Sequence, residues 1–176
     1  QPVHYSPYNG KVEKGYLYTD SGFWDTFRAL FPLLSLVYPD VNAEIQSGYA
    51  NVARENEFLP EWASPGHRNC MVGNNSASVV ADAYLKGIRD YDVEKLWEAV
   101  LHGAHAVHPE ASSTGRLGWE YYDELGYVPC DVGIKENAAR TLEYAYDDWC
   151  IWQLGLALGK SPQELEPYRQ AAFNYR

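Results

Sequence analysis

The sequence is poor in cysteine, in basic residues and in long apolar runs, and each shortage argues against a class of protein. Its 3 cysteines include no Cys-x-x-Cys pair, which argues against a zinc ribbon or a disulfide scaffold but leaves open one bridge or three buried thiols. The net charge of −10 disfavours nucleic acid and anionic membrane surfaces as partners. No apolar run approaches the ~20 residues of a membrane helix, because Pro32 interrupts the longest one, 29–38.

Aromatic side chains, by contrast, are abundant. They make up 15% of the chain, with 6 Trp and 15 Tyr. The apolar face of such a ring can stack on the C–H face of a pyranose, so this composition favours a carbohydrate ligand. The alternative is a tyrosine-rich core. A chain of 176 residues with 46% hydrophobic residues is long enough for one domain with a sizeable core.

The first 20 residues differ from the rest of the chain. Residues 1–20 lack helical periodicity, and Asn9-Gly10 is typical of a hairpin turn. We therefore expect a short strand pair or an ordered loop here, as a linker or β segment from an upstream region.

Helix signals dominate residues 21–176, which predicts an almost all-α domain. Helix starts are expected at five residues: Ser21, Asp40, Ser76, Asp92 and Ser161. A short helix over 116–125 ends at Gly126, and a long one spans about 137–158. The connection 56–75 is long and rich in Pro, Gly and Asn, and such loops within compact domains are usually functional. Helices alternating with long loops suit an α/α toroid.

The densest chemistry lies in the long helix, in the stretch TLEYAYDDW (141–149). Glu143 and Asp147 share a face, where like charges destabilise a helix by about 0.2–0.5 kcal/mol, and Asp148 adds a third acid. Lys135 and Arg140 lie too far toward the helix start to cancel this charge. The cluster can hold a cation, share a proton or activate water, and a solvated acidic face is the alternative. The neighbouring aromatic residues favour a buried or cleft-lining position.

Two further motifs carry candidate site residues. Trp24 and Asp25 stand at a helix start, where they could grip a sugar, although Asp25 could equally serve only the helix dipole. Glu61 lies between Pro60 and Trp62 in the long loop. An apolar setting would raise its pKa and suit a general acid, whereas a loop glutamate in water is the alternative. A protonated Glu paired with an ionised Asp is what glycoside hydrolysis requires.

Two further sequence patterns are weaker. His102, His105 and His108 recur every three residues, but this spacing turns successive histidines around a helix and argues against zinc. Asn74-Asn75-Ser76 matches a glycosylation sequon, a pattern with many chance matches.

Four separated stretches resemble, in the same order, the C-terminal catalytic domain of glycoside hydrolase family 92. They are SGFWDTFRALFPLL (21–34), FLPEWASPGHRNCMVGNNSASVVADAYLKG (58–87), ELGYVP (124–129) and TLEYAYDDWCIWQLGLALGK (141–160). The resemblance implies a fold that is part of an (α/α)6 toroid, packed against an N-terminal β-sandwich that this sequence lacks. It also implies a bacterial, calcium-dependent exo-α-mannosidase that inverts the anomeric centre, often acts on α-1,2 links of N-glycans, and is periplasmic or secreted.

The resemblance also assigns roles to residues. Glu61 would be the general acid and Asp147 or Asp148 the general base, with Trp24, Asp25 and Trp62 as substrate contacts. The calcium ligands stay unassigned. Enzymes of this family are several times longer, so residues 21–176 are expected to be a partial catalytic domain. The alternatives are a glycan-binding module without catalysis and a purely structural helical module.

Overall fold

A body of helices with two short antiparallel strand pairs makes up the chain in a computed structural model, which describes residues 2–176. The strands are β1 (Val3–Tyr5), β2 (Val12–Lys14), β3 (Ser21–Gly22) and β4 (Trp62–Ala63). The helices are α1 (Phe23–Thr26), α2 (Leu30–Val37), α3 (Pro39–Asn56), α4 (Ser76–Leu85), α5 (Val93–Ala104), α6 (Trp119–Leu125), α7 (Asn137–Ala157) and α8 (Pro162–Ala171). The predicted all-α class is confirmed.

The β1–β2 hairpin is the strand pair expected in the first 20 residues. Val3 pairs with Lys14, and the turn contains Gly10 at a φ of 72°, a conformation that glycine adopts without strain. His4 Nε2 lies 2.9 Å from Glu55 Oε1 and so ties the hairpin to α3. Gln1 lies outside the described residues, and the link to an upstream region stays a prediction.

The first predicted helix is wrong in its extent. The chain from Ser21 begins as β3, in which Gly22 pairs with Trp62 of β4, and the helical part is split into α1 and α2 around residues 27–29.

The predicted cap at Asp40 is also wrong. Helix α3 starts one residue earlier, at Pro39, because a proline at the first helical position lacks only an N–H that would have no partner there.

The other predicted helix ends are confirmed except the start of the short helix, which is Trp119 rather than residue 116. The side chain of Asp92 accepts a hydrogen bond from Lys95 N at 3.1 Å, and that of Ser161 accepts one from Glu164 N at 3.2 Å. Gly126 ends α6 at a φ of 80°. These capping interactions span only three residues, so the sequence alone could reveal them.

Helices α4 and α7 lie at the centre of the packing. α7 packs against α4 and α8, while α4 also contacts α2, α3 and α5. Both helices contribute fully buried side chains to the main core, among them Val79, Val80, Ile151 and Leu154. This packing brings the start of α4 against the middle of α7, where the acidic stretch lies.

The cysteines and the length of the apolar helices test two predictions that were made from composition. All three cysteines are free, with Cys70 and Cys130 exposed and Cys150 buried, so neither the bridge nor the set of three buried thiols is correct. No helix within residues 2–176 combines the length and the apolar character needed to cross a membrane.

Candidate active site

Three carboxyl groups are buried together where α4 begins against the middle of α7. Glu61 is 2% exposed, Asp147 0% and Asp148 1%. Glu61 comes from the loop before β4, and the two aspartates come from α7. The alternative that Asp147 and Asp148 belong to a solvated acidic face is therefore wrong. Glu143 instead lies nearer the surface, where its Oε1 accepts hydrogen bonds from Trp24 Nε1 at 3.1 Å and Arg28 Nη2 at 3.3 Å.

Asn74 connects the members of this cluster. Its backbone N–H donates to Asp147 Oδ2 at 2.8 Å, and its side-chain amide donates to Glu61 Oε1 at 3.1 Å. Its Oδ1 accepts a hydrogen bond from Arg116 Nε at 3.2 Å. Asn74 is only 2% exposed, so the sequon that it opens is closed to glycan attachment in the folded protein. Its role in the structure is to hold the acids.

Glu61 also caps the start of α4. Its carboxyl group accepts hydrogen bonds from the Ser76 hydroxyl at 2.7 Å and from Ser76 N at 3.1 Å. Burial raises the pKa of Glu61 to about 8, although the bonds from Ser76 and Asn74 act to lower it. Glu61 is therefore protonated at neutral pH, as a general acid must be.

The two aspartates occupy different surroundings although they are adjacent in sequence. Asp147 Oδ1 has no hydrogen-bond partner within residues 2–176, and burial raises the pKa of Asp147 well above its usual range. Asp148 Oδ1 forms an ion pair with Arg116 Nη2 at 2.8 Å, although neither atom has a hydrogen-bond partner within residues 2–176. Asp148 also lines a cavity of about 470 Å³. Burial also raises the pKa of Asp148, and the Arg116 charge acts to lower the pKa of both aspartates.

Arg116 is the functional residue that sequence reasoning missed. It is 1% exposed, and its guanidinium carbon lies 5.8 Å from the ring centre of Tyr122 and 5.2 Å from that of Tyr144. The preceding Gly115 has a φ of 77°, and a Cβ there would lie 2.1 Å from the Ala106 carbonyl oxygen, so only glycine fits. In the sequence, the local signal for a special role of Arg116 is the glycine before it. Asp148 is too far away in sequence for a local pattern to reveal the Arg116–Asp148 ion pair.

The predicted substrate residues lie next to Glu61 in sequence or through a backbone contact. Phe23 N donates to the Glu61 backbone oxygen at 2.9 Å, which places Trp24 and Asp25 directly after that contact. Both are exposed, and the Arg28 guanidinium carbon lies 4.4 Å from the Trp24 ring centre. Trp62 is half-buried beside a surface groove formed with the loop residues 64 and 68–70.

No group of three His, Cys, Asp or Glu side chains suited to a metal occurs within residues 2–176. The three spaced histidines diverge: His102 packs on Phe58, His105 contacts Asp123 and Tyr168, and His108 stacks near His67. Calcium takes six to eight oxygen ligands, so the described acidic side chains do not fit a calcium site on their own.

The chain resembles known proteins along its whole length. The family model described as the glycosyl hydrolase family 92 catalytic domain matches residues 1–176. A solved family 92 inverting mannosidase from Bacteroides thetaiotaomicron is 54% identical with a TM-score of 0.95, over 99% of this chain and 24% of that one. A family 92 α-mannosidase from the same bacterium, solved with mannoimidazole, is 33% identical with a TM-score of 0.83, over 96% of this chain and 22% of that one.

A third relative is an uncharacterized secreted glycosidase from Arthroderma benhamiae. It is 38% identical over 112 residues, which are 59% of this chain and 14% of the relative. The chain thus spans about a quarter or less of the length of these proteins. The match to the solved inverting mannosidase agrees with the predicted toroid segment.

Proposed function

The chain belongs to glycosyl hydrolase family 92, and from this premise we propose that the protein is an inverting α-mannosidase that releases mannose from α-linked mannosides, α-1,2 links among them. The similarity to two bacterial mannosidases supports this proposal. The single observation that carries it is the buried group of Glu61, Asp147 and Asp148 around Asn74 and Arg116. Inverting hydrolysis requires one protonated and one ionised carboxyl group, and this cluster can supply both.

Charge balance divides the roles among the three acids. A buried carboxylate without a countercharge is so costly that the group takes up a proton instead. The ion pair with Arg116 balances Asp148, whereas Glu61 is held by neutral donors. We therefore assign Asp148 as the base that activates water in the adjoining cavity, and Glu61 as the acid that protonates the leaving oxygen. Asp147 supports the site in its protonated form.

Access to Glu61 requires a change in the residues packed around it. Its carboxyl is 2% exposed and is held by Asn74 and Ser76, so it meets a glycosidic oxygen only after some of these contacts open. Trp24, Asp25 and Trp62 are the proposed substrate contacts. With substrate bound, the two carboxyl groups of Glu61 and Asp148 should be ~6.5–9.5 Å apart, leaving room for a water.

We also propose three properties of the whole protein that the family resemblance implies. The first is a calcium requirement, with no catalytic step assigned to the ion because the described side chains do not form its site. The second is packing of this helical segment against an N-terminal β-sandwich. The third is a secreted or periplasmic location, which the secreted fungal relative supports.

Proton NMR of an α-1,2-mannobiose digest by the full-length protein tests this function, once with calcium and once with chelator. Early β-mannose that disappears with chelator is the expected result, and early α-mannose would exclude inversion. Unchanged hydrolysis with chelator would remove only the calcium requirement. Mannoside binding without hydrolysis would support the glycan-binding module instead.

A further inference from the structure

Trp24 is an exposed aromatic ring whose orientation is nonetheless fixed. The residue is 39% exposed, yet its Nε1 donates a hydrogen bond to Glu143 Oε1 at 3.1 Å. The Arg28 guanidinium carbon lies 4.4 Å from the ring centre and so covers one face of the indole. These two contacts hold one edge and one face of the ring, while part of its surface stays open.

Arg28 and Glu143 are themselves held by further contacts. Arg28 Nη2 donates to the same Glu143 oxygen at 3.3 Å, and Arg28 Nε donates to the Trp24 backbone oxygen at 3.1 Å. The Glu143 side chain is only 18% exposed. A Cβ at Gly73 would lie 3.0 Å from Glu143 Cβ, so the loop before α4 packs closely against this position of α7. The three side chains therefore form a closed set of contacts.

The other two proposed substrate contacts lie on the same surface, around Gly22. A Cβ at Gly22 would lie 3.6 Å from Asp25 Oδ2 and 3.7 Å from Trp62 Cγ. Asp25 and Trp62 are thus neighbours in space, and Trp24 directly precedes Asp25 in α1. A carboxylate that accepts hydrogen bonds from hydroxyl groups, next to indole rings that can stack on C–H faces, suits a sugar.

Stability alone does not account for the contacts around Trp24. The Arg28 side chain is 47% exposed, and an ion pair with an exposed partner contributes little to folding. An exposed ring also buries less apolar area than a ring in the core. A ring that is held on two sides without a large gain in stability is preorganised, and preorganisation lowers the entropy that ligand binding costs.

Building on the proposed mannosidase function, we propose that Glu143 and Arg28 are positioning residues that fix the Trp24 ring as a stacking platform for the mannose unit. Glu143 acts through the indole N–H and Arg28 through the covered face, so neither needs to touch the sugar. The open part of the ring meets the sugar, with Asp25 beside it. This role concerns sugar binding, whichever carboxyl groups carry out the hydrolysis.

Kinetics of the full-length protein on α-1,2-mannobiose test the hydrogen bond between Trp24 and Glu143. Glu143→Leu should raise KM roughly tenfold, equivalent to about 1.4 kcal/mol of lost binding, and change kcat much less. Glu143→Gln keeps an acceptor oxygen and should stay within about threefold of the wild type, because only the charge of a partly exposed pair is lost. Glu166→Leu, the matched control, removes an Arg–Glu pair on α8 and should leave KM unchanged.

A double-mutant cycle shows whether the two residues act through each other. Trp24→Phe keeps an aromatic ring but removes the N–H donor, so we expect a rise in KM similar to that of Glu143→Leu. The double variant should then have the KM of either single variant instead of the product of both effects. Multiplicative effects in folded variants would overturn the inference.

Fluorine-19 NMR of protein labelled with 5-fluorotryptophan reports on the platform without any turnover. Trp24→Phe assigns the Trp24 signal, so the answer does not require a folded Glu143 variant. Thio-linked α-1,2-mannobiose, which resists hydrolysis, should shift that signal in the wild type, and a signal that does not move would overturn the inference. A signal that moves in a wild type without mannosidase activity would support the platform while refuting the proposed function.

Discussion

Glu61 combines two roles at the scale of a single residue. It is held by Ser76 as a cap of α4, and it is protonated in a buried site as a general acid requires. A cap and an acid make different demands on the same carboxyl. A cap needs only an acceptor oxygen, which glutamine also has, whereas an acid needs a proton that it can lose.

The substitution Glu61→Gln therefore distinguishes the two roles. General acid catalysis contributes roughly 10²–10⁴-fold to a rate, so kcat on α-1,2-mannobiose should fall by about that factor. An α-mannoside with a dinitrophenolate leaving group needs no proton, and its hydrolysis should fall less than roughly tenfold. Steady-state rates on the two substrates give the comparison. A Glu61→Gln variant that keeps its rate on α-1,2-mannobiose and its unfolding midpoint would show that Glu61 is only a helix cap.

At the scale of an element, helix α7 places its two adjacent aspartates in different environments. Successive residues of an α-helix are turned by about 100°, so Asp147 and Asp148 point in different directions. Asp147 meets the backbone N–H of Asn74 next to α4, and Asp148 faces Arg116 and the cavity that also borders α6 and α8. The position of α7 against its neighbours therefore determines the environment of both acids.

Packing of α7 against α8 depends on Gly155. A Cβ at this position would lie 2.2 Å from Leu165 Cδ2 and 3.0 Å from Trp97, so Gly155→Ala should destabilise the protein by about 1–3 kcal/mol. Gly103→Ala in α5 is the matched control. Its Cβ would find its nearest atom at 3.4 Å, and alanine favours a helix over glycine by about 0.5–1 kcal/mol.

Urea unfolding of the two variants measures the difference. We expect a lower free energy of unfolding for Gly155→Ala and an unchanged or slightly higher one for Gly103→Ala. Similar values for both would mean that the α7–α8 contact is looser than the structure indicates.

Burial of the acid cluster affects stability at the scale of the whole molecule. The folded protein binds the proton of Glu61 up to a pKa of about 8, whereas the unfolded chain releases it near 4.5. Between these values the folded state holds more protons, so the free energy of unfolding falls as pH rises. Buried His67 has the opposite effect below pH 6.5, because burial lowers its folded-state pKa to about 4.

We therefore expect stability to fall between pH 6.5 and 8, by at most about 1.4 kcal/mol per pH unit from Glu61. The pKa of Asp147, which burial raises well above its usual range, acts in the same direction. Glu61→Gln should reduce this slope, while the exposed control Glu120→Gln should keep it. Urea unfolding at several pH values provides the data. An unchanged slope in Glu61→Gln would contradict the raised pKa of buried Glu61.

Much of the architecture was determined by the sequence itself. Caps at Asp92 and Ser161, the glycine after α6 and the apolar stripes act over a few residues, so they predicted these helices correctly. The motif stretches predicted the family, and the Pro60 and Trp62 neighbours indicated the apolar setting of Glu61.

The break between α1 and α2 was decided only in the tertiary structure. Ser21 belongs to a strand because Gly22 pairs with Trp62, and no local sequence pattern predicts that pairing.

The tertiary structure also decided the electrostatics of the site. Asp147 is held by Asn74, 73 residues away in sequence, and Asp148 is paired with Arg116 from a different part of the chain. Glu143, which shares a helix face with Asp147 in the sequence pattern, is instead drawn to Arg28 at the surface. Helix propensity acts between near neighbours, but a buried charge is stabilised by whichever group the fold brings next to it.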